Sequence, residues 1–306
     1  MDFTDQVAIV TGAGKGIGRC IATALAARGA AVVVNNRARD GRDPASETVA
    51  EIRGAGGRAV ADLHSVEADG AADAMVATAL EHFGRLDIVV ANAAIADRDR
   101  FANADPDRFR YVMEVDFFAQ VALARAALPH LEASGAGRLL FTSSSAGLYG
   151  EFGISSYAAA KGALIAFART LAIEHARQPV TVNVLAPFAT TQMTEDALDE
   201  AMARTLRPEH VVPAVLYLVD ADTTANGQVL IAGGNRFRRY FGGESRGVVF
   251  PDNDSVDDDD FLEAVADLAS LEGWQAFDNA YQSLENLLGL DAGPTPAPMD
   301  PSVGGR

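Results

Sequence analysis

Seven short, continuously apolar runs alternate along the chain with longer stretches of helical periodicity. The runs are 6–11, 30–35, 58–62, 86–91, 138–142, 180–185 and 228–232. The helical stretches are about 17–28, 46–52, 68–83, 107–131, 155–177 and 208–219. An apolar run without polar alternation has both faces covered, as in a strand of a parallel sheet held between helices. The repetition predicts an α/β fold, a doubly wound parallel sheet of about seven strands. No internal repeat interrupts it.

Between the first run and the first helix stands Thr11-Gly12-Ala13-Gly14-Lys15-Gly16-Ile17-Gly18. Glycines at such a junction let the backbone approach a pyrophosphate, and the helix N-terminus offers N–H groups and a favourable dipole. The flanking strand and helix make this a dinucleotide-binding loop of a Rossmann fold, not a simple glycine turn. A second group lies on the helix at 155–177, where Tyr157 and Lys161 are four residues apart and share a face. A phenol is a poor base at neutral pH, and a neighbouring ammonium favours its phenolate. Ser144, thirteen residues before Tyr157, is placed to hydrogen-bond a substrate oxygen. Taken alone, the Tyr–Lys pair also fits a surface pair, and Ser143-Ser144-Ser145 a turn.

Together these residues resemble the short-chain dehydrogenase/reductase family over about residues 5–234. Further matching pieces are Asp62-Leu63, Asn92, and Asn183-Val184-Leu185-Ala186-Pro187. The resemblance implies that Ser144, Tyr157 and Lys161 are catalytic and that Lys161 also holds the nicotinamide ribose. It implies that Asp62 and Leu63 border the adenine, and that Gly12, Gly14, Gly16, Ile17, Gly18, Asn92, Ala93 and Pro187 contact the cofactor. The stretches 62–67, 142–153 and 211–218 are similar, more narrowly, to the 3-hydroxyacyl-CoA dehydrogenase part of peroxisomal-type multifunctional β-oxidation enzymes. Trp274 and Phe277-Asp278-Asn279-Ala280 resemble the helical extension of that group.

The chain departs from the family pattern at three places. Ala94 stands where a glycine faces the cofactor, Asp116 where an asparagine supports a proton-relay water, and Phe188 where a glycine often follows the proline. The coenzyme expectation is NADP(H) over NAD(H). The second strand ends Asn35-Asn36-Arg37, without the carboxylate that binds the ribose in NAD-preferring members, and Arg37 and Lys15 stand where NADP-specific members carry basic residues. Arg37 and Arg39 also fit a solvated loop.

The formal net charge is −17, unevenly spread. Residues 251–306 hold 13 acidic side chains and one basic, Arg306, leaving a body of −5 over residues 1–250. Such a field repels phosphate backbones and anionic lipid heads, so nucleic acid and membrane are not expected partners. The body reads as the catalytic domain, 251–290 as an acidic helical extension, and 291–306 as a disordered tail. Trp274, Phe277, Tyr281, Leu284 and Leu288 recur at steps that form one helical stripe. Arg236, Arg238 and Arg239 form a basic cluster that either receives a coenzyme A phosphate or faces solvent and the acidic tail.

The single cysteine, Cys20, excludes an intrachain disulfide and reads as a small packed residue. The five histidines have no ligand spacing, so no metal site is expected. No apolar run spans a bilayer, and residues 1–5 lack the basic start of a signal peptide, which suits a cytoplasmic protein. The expected activity is interconversion of a ketone and a secondary alcohol, with a 3-oxoacyl thioester, linked to coenzyme A or a carrier protein, or a polyketide-like ketone as substrate. The family resemblance implies a homodimer or homotetramer. Two other uses stay open: an isomerase, epimerase or cyclase using Tyr157 as acid and base without net redox, and a non-catalytic binding protein on this fold.

Overall fold

The computed structural model of the chain describes residues 1–38, 41–190, 200–248, 250, 259, 261–263, 268 and 272–288. The chain divides into two compact units, Met1–Arg239 and Tyr240–Arg306.

The first unit is built on one sheet in the order β3-β2-β1-β4-β5-β6-β7-β8. Its strands are β1 (Val7–Thr11), β2 (Ala31–Asn35), β3 (Arg58–Asp62), β4 (Ile88–Ala91), β5 (Gly137–Thr142), β6 (Val180–Pro187), β7 (Val229–Gly233) and β8 (Arg236–Tyr240). Neighbours from β3 to β7 pair in parallel. β1, β2, β4 and β5 are buried along their whole length, which explains why they are apolar at every step. Among the described residues the sheet has eight strands, in keeping with the expectation of about seven, and the additional one is β8. The run Arg236–Tyr240 reads in sequence as a basic cluster, yet it returns along β7 through Gly234 and Asn235, whose φ values of 54° and 58° make the turn. Arginines suit this last strand, because charge at a sheet edge discourages pairing with another chain.

The helices alternate with the strands as α1 (Gly16–Ala26), α2 (Pro44–Gly54), α3 (Ala71–Phe83), α4 (Pro106–Met113), α5 (Ala119–Ala133), α6 (Ser145–Tyr149), α7 (Ser155–Glu174), α8 (Glu200–Thr205) and α9 (Val212–Val219). Local chemistry starts several of them. Asp43 caps α2 by accepting from Ser46 N, and Pro44 follows at the first helical position, where its missing N–H costs nothing. Asp105 and Pro106 repeat the device at α4. The long helix expected over 107–131 is interrupted: a π-helical turn, Glu114–Phe118, separates α4 from α5. Such turns are rare and often mark functional positions. This one carries Asp116, fully buried.

In the second unit the helical stripe is not one helix. Only Ala280–Leu287 is helical around it, capped by Asn279, whose Oδ1 accepts from Tyr281 N and Gln282 N. Trp274 precedes it outside the helix: Gln275 exchanges two hydrogen bonds with Glu244 in an antiparallel bridge, and the Trp274 ring closes against Gly243. The left-handed Gly273 (φ 68°) turns the chain just before. A regular apolar spacing therefore persisted across a strand-like bridge and the helix cap that follows it. The acidic stretch 251–258, most of 260–271 in the expected helical extension, and the expected disordered tail 291–306 lie outside the described residues.

Candidate active site

The strand order reverses between β1 and β4, so their connections leave in opposite directions and open a crevice at the carboxyl ends. A cleft of roughly 1890 Å³ opens there. Ligand pockets for one small molecule are about 300–1,000 Å³, so this volume accommodates a dinucleotide with a second molecule. Thr11 ties its floor together. Its Oγ1 accepts from Asn92 N at 2.9 Å and Ala93 N at 3.0 Å, and its carbonyl accepts from Asn92 Nδ2 at 3.0 Å. Gly18 lies so near Gly12 O that a Cβ there would collide with it. The loop is thus folded hard onto the start of α1. The first turn of α1 has no acidic residue and no side-chain cap, which leaves an electropositive helix start facing the cleft.

At one end, Asn35, Asn36, Arg37, Arg42, His64, Ser65 and Glu67 line the cleft with Lys15. Arg37 is engaged: its Nη1 donates to Tyr111 Oη at 3.2 Å and lies 3.6 Å from Glu67 Oε1, while Tyr111 Oη donates to Glu67 at 2.9 Å. Burial pushes the Glu67 carboxyl up, but hydrogen bonds from its own backbone N–H, Ser65 and Tyr111, with the Arg37 charge, outweigh this and hold it below the usual range. The Asp62 carboxylate is buried and occupied by Asn35 Nδ2 at 2.7 Å, His64 N at 3.2 Å and His64 Nδ1 at 2.9 Å. Asp62, Leu63 and Gly14 do not line the cleft: Asp62 points into these bonds, Leu63 is exposed beside it, and Gly14 is packed under Pro44 and Asn36. Arg39 lies outside the described residues.

At the other end the structure brings Ser144, Tyr157 and Lys161 to one wall. Ser144 leaves β5 as the cap of α6, its Oγ accepting from Ala146 N at 3.1 Å. Lys161 is 1% exposed. Its Nζ donates to Thr142 O at 3.0 Å, stands 5.5 Å from the Tyr157 ring centroid, and lies 3.4 Å from Asp116 Oδ2. Ser143 Oγ donates to Lys161 O at 2.7 Å, which fastens β5 to α7. Gly147 makes the packing possible, because a Cβ there would lie 2.6 Å from the Lys161 carbonyl carbon. Ala94 and Phe188 both line the cleft, as do Pro187, Arg98 and Arg108.

Sequence reasoning assigned no role to Thr11, Gln120, Tyr111 or the two arginines at 98 and 108. Gln120 is buried and its amide donates to Ala93 O and Asp116 O. One signal was present for it, a lone polar residue on the buried face of α5. Cys20 is half-buried on α1, and burial foremost, with Glu209 nearby, pushes its thiol up to about 11. Among the described residues no group of three or more His, Cys, Asp or Glu is arranged to hold a metal, and no helix is long and apolar enough to cross a membrane.

The family described as short chain dehydrogenase matches residues 6–202. A protein of Mycobacterium tuberculosis named as a short-chain type dehydrogenase/reductase is 41% identical over 241 residues, covering 77% of this chain and 84% of that protein. The peroxisomal multifunctional enzyme type 2 of Mus musculus is 40% identical over 237 residues, covering 76% of this chain and 32% of that enzyme. The chain therefore aligns with only about a third of that multifunctional enzyme's length. The solved structure of a short chain dehydrogenase from Mycobacterium avium matches with a TM-score of 0.77 at 35% identity, covering 88% of this chain and 95% of that one. With its strand order, its glycine loop and these matches, the chain belongs to the short-chain dehydrogenase/reductase family.

Proposed function

We propose that this protein is an NADP(H)-dependent oxidoreductase that interconverts a ketone and a secondary alcohol, with Tyr157 as acid and base. The observation that carries it is that Ser144, Tyr157 and the buried Lys161 line the same cleft as a glycine loop too closely packed to admit a Cβ at Gly18. The residues fit a dinucleotide: the start of α1 carries no competing acid, and the cleft has the volume. Gly12, Gly16, Ile17 and Gly18 would hold the pyrophosphate, Asn92, Ala93 and Pro187 the nicotinamide half, Lys161 its ribose, and Lys15, Asn36 and Arg37 the adenosine end. Bound nicotinamide supplies the hydride donor or acceptor.

The chain's own groups handle the proton. In reduction, Tyr157 gives its phenolic proton to the substrate oxygen; in oxidation it takes that proton back. Because the Ser144 oxygen already accepts from Ala146 N, its hydroxyl hydrogen is left to donate to the oxygen that gains charge. The Lys161 ammonium stabilises the phenolate and is held in place by Thr142 O. Arg98 lines the cleft one residue before Asp99, which bridges to Ile154 just ahead of Tyr157, and it suits an acyl thioester whose carrier arm bears phosphate, in line with the resemblance to the dehydrogenase part of the multifunctional enzymes.

Preference for NADP(H) is supported by the cations Lys15, Arg37 and Arg42 around the cleft end where β2 finishes in asparagine. Charge-assisted hydrogen bonds to a 2′-phosphate contribute about 1.5–3 kcal/mol each, roughly 10- to 150-fold. Initial rates with a 3-oxoacyl thioester test this. The expected result is a kcat/KM at least about tenfold higher for NADPH than for NADH; equal or higher values with NADH would overturn it. The same reading expects a homodimer or homotetramer, which sedimentation equilibrium checks.

A further inference from the structure

Asp116 is an acid placed where water cannot reach it. It is 0% exposed, on the π-helical turn between α4 and α5. Its Oδ1 accepts from Ile95 N at 2.8 Å. Its Oδ2 lies 3.4 Å from Lys161 Nζ and accepts no aligned hydrogen bond, although it is fully enclosed. A buried carboxylate with one unfilled oxygen is expensive to keep, unless its charge is used.

Among the described residues, Lys161 is the one cation that acts on it. From α7, Lys161 faces it, with Tyr157 beyond. From α4, Arg108 turns toward Asp97, and Tyr111 toward Glu67 and Arg37. From α5 the neutral Gln120 donates to the Asp116 backbone carbonyl. The end of β5 contributes the Thr142 carbonyl, already bound to Lys161. Burial raises the Asp116 carboxyl above the ordinary carboxylate range, against the pull of Lys161 and the Ile95 N–H.

We propose that Asp116 is a positioning residue that pins Lys161 and offsets its charge, and thereby sets the pH at which Tyr157 gives up its proton. With the carboxylate ionised, the Asp116–Lys161 pair is neutral overall, so Tyr157 feels a weakened cation and holds its proton to higher pH. Removing the negative charge exposes the full ammonium and makes the phenolate easier to form. This rests on Tyr157 being the acid and base of the proposed reaction.

The test is the ionisation of Tyr157 in the cofactor-free protein, read as the ultraviolet tyrosinate difference between each background and its Tyr157→Phe counterpart. Asp116→Asn keeps the shape, Asp116→Ser does not, and the two share only the lost charge. The expected result is a Tyr157 midpoint lower by about one pH unit or more in both, with the rising limb of kcat/KM for alcohol oxidation moving down in step. Asp116→Glu, which keeps the charge, should leave the midpoint near the wild-type value. An unmoved midpoint in folded Asp116→Asn, or a shift there that Asp116→Ser does not share, overturns the proposal. A shifted midpoint in a protein whose Tyr157→Phe variant still turns over ketone would instead sink the proposed reaction and leave this inference standing.

Discussion

Two residues carry charge and reactivity in ways their types alone do not announce. Lys161 has its ammonium buried against Thr142 O, Asp116 and Tyr157. Truncating one partner of a buried pair strands the other, so Lys161→Met should lower stability by about 3–5 kcal/mol. Urea midpoints measure this, and a change below about 1 kcal/mol would show that Asp116 sheds its charge at once. Cys20 behaves in the opposite sense to a reactive cysteine, since burial pushes its thiol up to about 11. Against an ordinary thiol two units lower, roughly 100-fold less thiolate is present near neutrality, and maleimide labelling should be slower in proportion. Because the unfolded chain loses this proton first, stability should also fall as pH rises from about 9 toward 11. A stability flat across that window, measured by denaturant titration, contradicts this environment for Cys20.

At the scale of elements, strands, crossovers and glycine loop were readable because buried parallel strands leave unbroken apolar runs and glycine loops leave spacing. The run 138–142 became β5, Gly137–Thr142, and 58–62 became β3 unchanged. What was not readable depends on three-dimensional accommodation. The π turn at Glu114–Phe118 adds one residue to a helix without altering its composition. β8 hides behind arginines, and the stripe from Trp274 to Leu288 keeps helical spacing across a strand-like bridge at Gln275 and a helix cap at Asn279 that only backbone geometry reveals. The Ser144–Tyr157–Lys161 grouping was legible through the family resemblance and Gln120 only as a lone polar residue on a buried face, but the Arg37–Tyr111–Glu67 network joins residues from distant segments and leaves no local pattern. The contact between α6 and α7 gives a direct test. Gly147→Ala places a Cβ 2.6 Å from the Lys161 backbone. It should cost about 1–3 kcal/mol, and it should lower kcat more than it raises KM for the coenzyme, since the glycine loop is untouched.

For the whole molecule, the uneven charge matches a division of labour. Among the described residues, those that line the cleft all belong to Met1–Arg239, whereas most of the excess acid lies in 251–306. Deleting 251–306 should therefore leave NADPH binding within a few-fold of the full chain, by fluorescence titration, and act instead on solubility, assembly or substrate KM. Loss of NADPH binding in a folded truncation would contradict that division. The central claim is that this cleft performs redox chemistry with Tyr157 moving the proton, and the direct measurement is stoichiometry. Purified protein is given NADPH and a 3-oxoacyl thioester, and NADPH consumed is compared with alcohol formed, for the wild type and for Tyr157→Phe. The account predicts one alcohol per NADPH in the wild type and a rate about 10²- to 10⁴-fold lower in the variant. Product formed without net NADPH consumption, or a variant as fast as the wild type, would contradict it.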